Sequence, residues 1–136
     1  MFSSYITDFG LCKSVSQGSN SEDLIGVLPY IAPELLRASM ENKKIIYTQQ
    51  SDVYSFGIVM SEVFTGYPPY YDVPHETKLS VKICRGQKPE IKCEVPPLLL
   101  DLMNRCLDIE PRKRPTAEEV SDKLMQFYED LNNETT

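Results

Sequence analysis

Thr48-Gln49-Gln50-Ser51-Asp52-Val53-Tyr54-Ser55-Phe56-Gly57-Ile58-Val59-Met60-Ser61-Glu62-Val63-Phe64 is the stretch from which the rest of the chain can be read. Thr48 suits an N-cap, because its hydroxyl can accept from a backbone N–H in the first turn. Its apolar residues are Val53, Tyr54, Phe56, Ile58, Val59, Met60, Val63 and Phe64. At 3.6 residues per turn they wrap most of the way round a helix, which predicts burial on several sides. Gly66 stops the helix, and Tyr67-Pro68-Pro69-Tyr70 makes a stiff exit.

Working outward, the pattern stays helical. Pro33 precedes a short helix over 34–40, and a helix is expected over about 75–84. Residues 86–96 read as a proline-containing loop, and 98–107 as helix with Leu99, Leu102, Met103 and Cys106 along one stripe. In the last helix Thr116 and Glu119 form a capping box, the hydroxyl accepting from the Glu119 N–H and the carboxylate from the Thr116 N–H. Val120, Leu124, Phe127, Tyr128 and Leu131 follow at helical spacing, and residues 132–136 are expected to fray. Residues 11–30 are rich in Ser, Asn, Gln and Gly and read as a mobile loop. No stretch reads convincingly as sheet.

Composition narrows the function. The chain has 136 residues, of which 41% are hydrophobic, enough for one globular core. The net charge is -6, and the longest basic run, Arg112-Lys113-Arg114, is flanked by Pro111 and Pro115. That balance argues against nucleic acid as a partner. No run approaches the roughly 20 apolar residues of a membrane helix, so no membrane partner is expected. Cys12, Cys84, Cys93 and Cys106 form no C-x-x-C pair and the single histidine is His75, so a zinc site is not expected. Free thiols suggest a reducing, cytoplasmic setting.

Four motifs stand in order: Asp8-Phe9-Gly10, Ala32-Pro33-Glu34, the Asp52-to-Gly57 run, and Arg112-Lys113-Arg114-Pro115-Thr116. Together they resemble the second half of a eukaryotic protein kinase domain, from about residue 5 to residue 131. The resemblance implies a mainly α fold: a helical C-terminal lobe, with the N-terminal β lobe absent. It implies an activation segment over 8–34, a helical lobe over 35–131, and a tail over 132–136. Tyr30 fits the serine/threonine pattern, since tyrosine kinases usually carry tryptophan there. The Asp52-to-Gly57 run and the Tyr67-to-Tyr70 exit look most like the tyrosine-kinase-like group.

Roles follow by the same resemblance. Asp8 resembles the carboxylate that holds Mg against the ATP phosphates, with Phe9 and Gly10 completing that nucleotide site. Glu34 and Arg114 resemble an ion pair tying the end of the activation segment to the lobe. Asp52 resembles a helix carboxylate that accepts hydrogen bonds from the catalytic loop. Ser14, Ser16, Ser19 and Ser21 are candidate phosphosites, since phosphate adds about two negative charges that can order a loop. Two positions depart from the family: Val27 stands where threonine is common, and Leu107 where tryptophan is common after the cysteine. The first removes a hydroxyl that reaches the catalytic groups.

No glycine-rich loop, no strand lysine and no His-Arg-Asp sequence occurs in the chain. Phosphoryl transfer needs all three, so no catalytic base is assigned. The chain is expected to be part of an ATP-dependent protein kinase acting on Ser/Thr or Tyr hydroxyls, and incompetent alone. In that parent the partner is a protein substrate, and ATP and Mg are the cofactors. The alternatives are a non-catalytic helical interaction module and the product of an unexpressed gene copy. The 48–64 helix also predicts exposed apolar surface through which the chain could associate.

Overall fold

The computed structural model describes residues 28–134, and among these there is no strand. Five helices follow one another: α1 Pro33–Met40, α2 Gln49–Thr65, α3 Thr77–Cys84, α4 Pro97–Cys106 and α5 Ala117–Glu134. Two 3-10 turns stand among them, at 28–30 and at Pro111–Lys113.

α2 is the axis of the molecule. Thr48 Oγ1 accepts from the Ser51 N–H at 3.1 Å, and Ser51 Oγ accepts from the Thr48 N–H at 3.0 Å. Two donors that helix geometry leaves orphaned are thus satisfied reciprocally. Gly66 closes the other end at φ 76°, a left-handed conformation that a Cβ would strain, and its N–H returns to the Glu62 carbonyl. Val53, Tyr54, Ile58 and Met60 are buried. α4 packs across α2 with Leu102, Met103 and Cys106. The seam is tight at Gly57, where an added Cβ would lie 2.8 Å from Cys106 Cβ and 2.8 Å from Leu107 Cδ2. α1 packs on α3, bringing Leu35 and Leu36 together with Leu79 and Ile83 in the same core.

α2 is buried on several sides and open on one. Phe56, Val59 and Val63 are exposed, Val63 by 73%. Positions 52, 56, 59 and 63 share one face at helical spacing, and no described element covers it. The 48–64 pattern is apolar on more sides than the neighbouring helices can reach.

α5 departs in two further ways. Thr116 accepts from the Glu119 N–H at 3.1 Å as expected, but the Glu119 carboxylate does not return to the Thr116 N–H. Glu119 Oε1 instead accepts from the Thr116 hydroxyl at 3.3 Å, while Oε2 lies 3.9 Å from Arg105. A cation on α4 competes for the acid that would close the box. The tail expected to fray from Asn132 is helical through Glu134, because each residue added to an existing helix gains a backbone bond without a new nucleation cost. Its apolar stripe outruns the core: Val120 is buried, Leu124 is half-buried, and Tyr128 and Leu131 are exposed.

Candidate functional site

The densest polar constellation forms where the start of α1 meets the turn after α4. Ala32 is the N-cap of α1 and offers no side-chain acceptor, while Pro33 occupies the first turn, where its missing N–H costs nothing. Glu34 follows in the first turn, a position the helix dipole favours for an anion. Eighty residues away, the Pro111–Lys113 turn sets Arg114 in extended backbone with its side chain fully buried.

Four of the five guanidinium N–H donors are engaged. Arg114 Nη1 donates to Glu34 Oε1 and Nη2 to Glu34 Oε2, both at 2.8 Å, a bidentate pair. Nη1 also donates to the Gln50 carbonyl at 2.9 Å, and Nε to the Asp108 carbonyl at 2.8 Å. The Tyr54 ring lies beneath it, 5.1 Å from Cζ to centroid. Burial pushes the Tyr54 phenol well above its ordinary range, against the opposing pull of Arg114. No buried side-chain polar atom lacks a partner among the described residues. The structure therefore brings Glu34 and Arg114 together and adds three contacts the motif did not name. Two of those are backbone carbonyls, which leave no trace in a sequence.

Asp52 stands apart. It is on the open face of α2, and among the described residues its carboxylate has no hydrogen-bond or ion partner. Surrounding protein atoms still strip enough water from it to raise its pKa. Beside it, Tyr30 ties the chain before α1 to α2: its hydroxyl donates to Glu62 Oε2 at 3.0 Å, and its carbonyl accepts from Ser55 Oγ at 2.6 Å. Motif reading did not single out Glu62 or Ser55. Their seven-residue spacing on one face of α2 was the available signal.

Asp8, Phe9, Gly10, Ser14, Ser16, Ser19, Ser21, Val27 and Cys12 lie outside the described residues. Among the described residues no cluster of three or more His, Cys, Asp or Glu could hold a metal, and no helix is long and apolar enough to cross a membrane. Cys84, Cys93 and Cys106 are free thiols, and burial pushes that of Cys106 up to about 11.

Among the described residues, a helical arrangement around an axial helix, closed by a Glu–Arg clamp, is that of a kinase-type helical lobe. The chain belongs to the protein tyrosine and serine/threonine kinase family, whose sequence model matches residues 3–124. It is 32% identical over 124 residues to a protein kinase and PP2C-like domain-containing protein of Oryza sativa subsp. japonica, covering 79% of this chain and 18% of that one. It is 32% identical over 139 residues to receptor-interacting serine/threonine-protein kinase 4 of Mus musculus, covering 95% and 17%. Among solved structures, a chain of the AtMLKL3 tetramer superposes with a TM-score of 0.61 at 33% identity, over 70% of this chain and 17% of that one. The chain thus spans about a sixth of the length of these relatives. They are consistent with the tyrosine-kinase-like grouping.

Proposed function

We propose that this chain forms the helical platform of an ATP-dependent protein kinase and does not transfer phosphate by itself. The observation that carries this is the bidentate Glu34–Arg114 clamp in a chain of this family. In this reading residues 8–34 are an activation segment whose end the clamp pins to the lobe. Asp52 on the open face of α2 is then the acceptor for backbone donors of a catalytic loop. Its unpartnered carboxylate supports that role, because a desolvated anion lowers its cost by gaining N–H donors.

Asp8 would hold Mg beside ATP, with Phe9 and Gly10 next to it. A hard divalent cation prefers carboxylate oxygen, and when bound it neutralises charge on the phosphates. This chain's own part is to position: the clamp sets where the segment ends, and α2 sets where a catalytic loop would rest. The base, the glycine-rich cover and the phosphate-binding lysine are not among its 136 residues, and groups acting as a unit lose most of their effect when several are missing. Serine/threonine hydroxyls are the proposed acceptors, on the strength of Tyr30 and of relatives named as serine/threonine kinases.

The test is to incubate the purified chain with labelled ATP, Mg and a general protein substrate. No incorporation is expected. Incorporation that Asp8→Ala abolishes would overturn the proposal.

A second reading, a helical interaction module, is favoured by the exposed Phe56, Val59 and Val63 on α2. Such a stripe marks either a missing half or a partner surface. Both readings leave this stripe in water and expect dye binding that Val59→Ser with Val63→Ser reduces. The module reading expects a sharp, reversible melt of the chain alone, and the platform reading a broad one.

A further inference from the structure

Tyr30 closes the 3-10 turn at 28–30 and stands two residues before the N-cap of α1. It meets α2 at two points, its hydroxyl on Glu62 and its carbonyl on Ser55. Ser55 and Glu62 are seven residues apart and share one face of α2. Leu28, Ile31 and Ala32 on either side are buried, while Tyr30 itself is only partly so. Among the described residues no cation accompanies the Glu62 carboxylate, whose partner is the neutral phenol. The contact therefore works only while the tyrosine oxygen can donate a proton.

We propose that Tyr30 and Glu62 form a latch that opens when the Tyr30 hydroxyl is phosphorylated, making Tyr30 a regulatory modification site. The step is a transfer from a nucleoside triphosphate by a tyrosine-directed kinase. The phenolic oxygen bonds to the γ-phosphorus, the anhydride bond to the β-phosphate breaks, the diphosphate leaves, and the phenolic proton passes to the modifying enzyme's base. The product has no O–H to donate. It brings close to two negative charges against the Glu62 carboxylate, which no cation accompanies among the described residues, and like charges at contact repel. The turn must then leave α2, while the clamp at Glu34 still holds the start of α1. Phosphate here loosens the segment, the opposite of phosphate that orders a loop against an arginine. The latch stands on geometry alone; its regulatory meaning rests on the reading of residues 8–34 as an activation segment.

The full 136-residue chain carrying phosphotyrosine at position 30, introduced during translation, tests this by amide hydrogen exchange. The Ile31 amide donates to the Leu28 carbonyl and reports on the turn, while the Leu35 and Leu36 amides donate to the Ala32 carbonyl and report on the start of α1. Phosphorylation is expected to speed exchange at least tenfold at Ile31 and to leave the clamped α1, α4 and α5 unchanged. Glu62→Gln in the phosphorylated chain is expected to restore part of the protection, and Tyr30→Phe to give a smaller loss. Four results would overturn the latch: unchanged exchange, the same loss in the Glu62→Gln background, a loss spread over all helices, or no protection in the unmodified chain. No nucleotide enters this experiment, so its outcome is separate from that of the phosphotransfer assay.

Discussion

Arg114 concentrates more of the structure than any other side chain. Its side chain is fully buried, and Glu34 opposite is one quarter exposed. Losing one partner of such a pair strands the other, at a cost of about 3–5 kcal/mol. Arg114→Ala is therefore expected to lower stability by about that much, read from a urea titration. Arg114→Lys should recover little, since an ammonium cannot form the two-pronged pair and also reach the Gln50 and Asp108 carbonyls. Gly57 sets two effects against each other. Alanine in a helix gains about 1 kcal/mol over glycine, but overpacking costs about 1–3 kcal/mol. Contacts of 2.8 Å with a backbone-anchored Cβ and a buried leucine leave no cheap escape. Gly57→Ala should then destabilise by up to about 2 kcal/mol in the same titration, and a gain in stability would show that the seam can yield. Asp52 works the other way. A carboxylate raised by desolvation disfavours the folded chain at neutral pH, so Asp52→Asn should raise the melting temperature slightly while weakening any docking of a catalytic loop.

At the level of elements, much was readable because the signals are local. Thr48 marks the start of α2, Gly66 its end, and Thr116 the start of α5. Thr48→Ala should cost about 1 kcal/mol, measured as a lower denaturation midpoint, because it removes the hydroxyl that accepts from the Ser51 N–H and leaves only the Thr48 N–H to Ser51 Oγ half of the reciprocal cap. What was not readable depends on neighbours. Ser51 as the partner of Thr48 lacks the usual Glu or Gln signature. The diversion of Glu119 toward Arg105 needs α4 in place beside α5. The open face of α2 looked as apolar in sequence as the buried faces, since periodicity counts residues and not the elements available to cover them. Of the candidate site, the Glu34–Arg114 motifs stood out in the sequence, whereas Tyr54 beneath the guanidinium and the Tyr30–Glu62 contact emerge only from packing.

For the molecule as a whole, buried acids of high pKa set the response to alkali. Burial pushes the Cys106 thiol up to about 11 and raises the phenols of Tyr54 and Tyr70. An unfolded thiol releases its proton near pH 9. Between these values the folded state holds a proton the unfolded state has lost. Stability is thus intact below about pH 9 and falls as pH rises toward 11. Urea midpoints from pH 8 to 11 should decline, and less steeply in Cys106→Ala. A flat profile would mean that these groups are hydrated in the folded chain.

The Glu34–Arg114 clamp also imposes an order in time. Its partners are separated by 80 residues, and closing a loop of that length costs about 4 kcal/mol of chain entropy. A nascent chain leaves the ribosome with Glu34 long before Arg114 has been made, so α1 and α2 must wait in water with their apolar residues uncovered. Slowing synthesis between these two positions would lengthen that interval, and chaperone demand should rise with it.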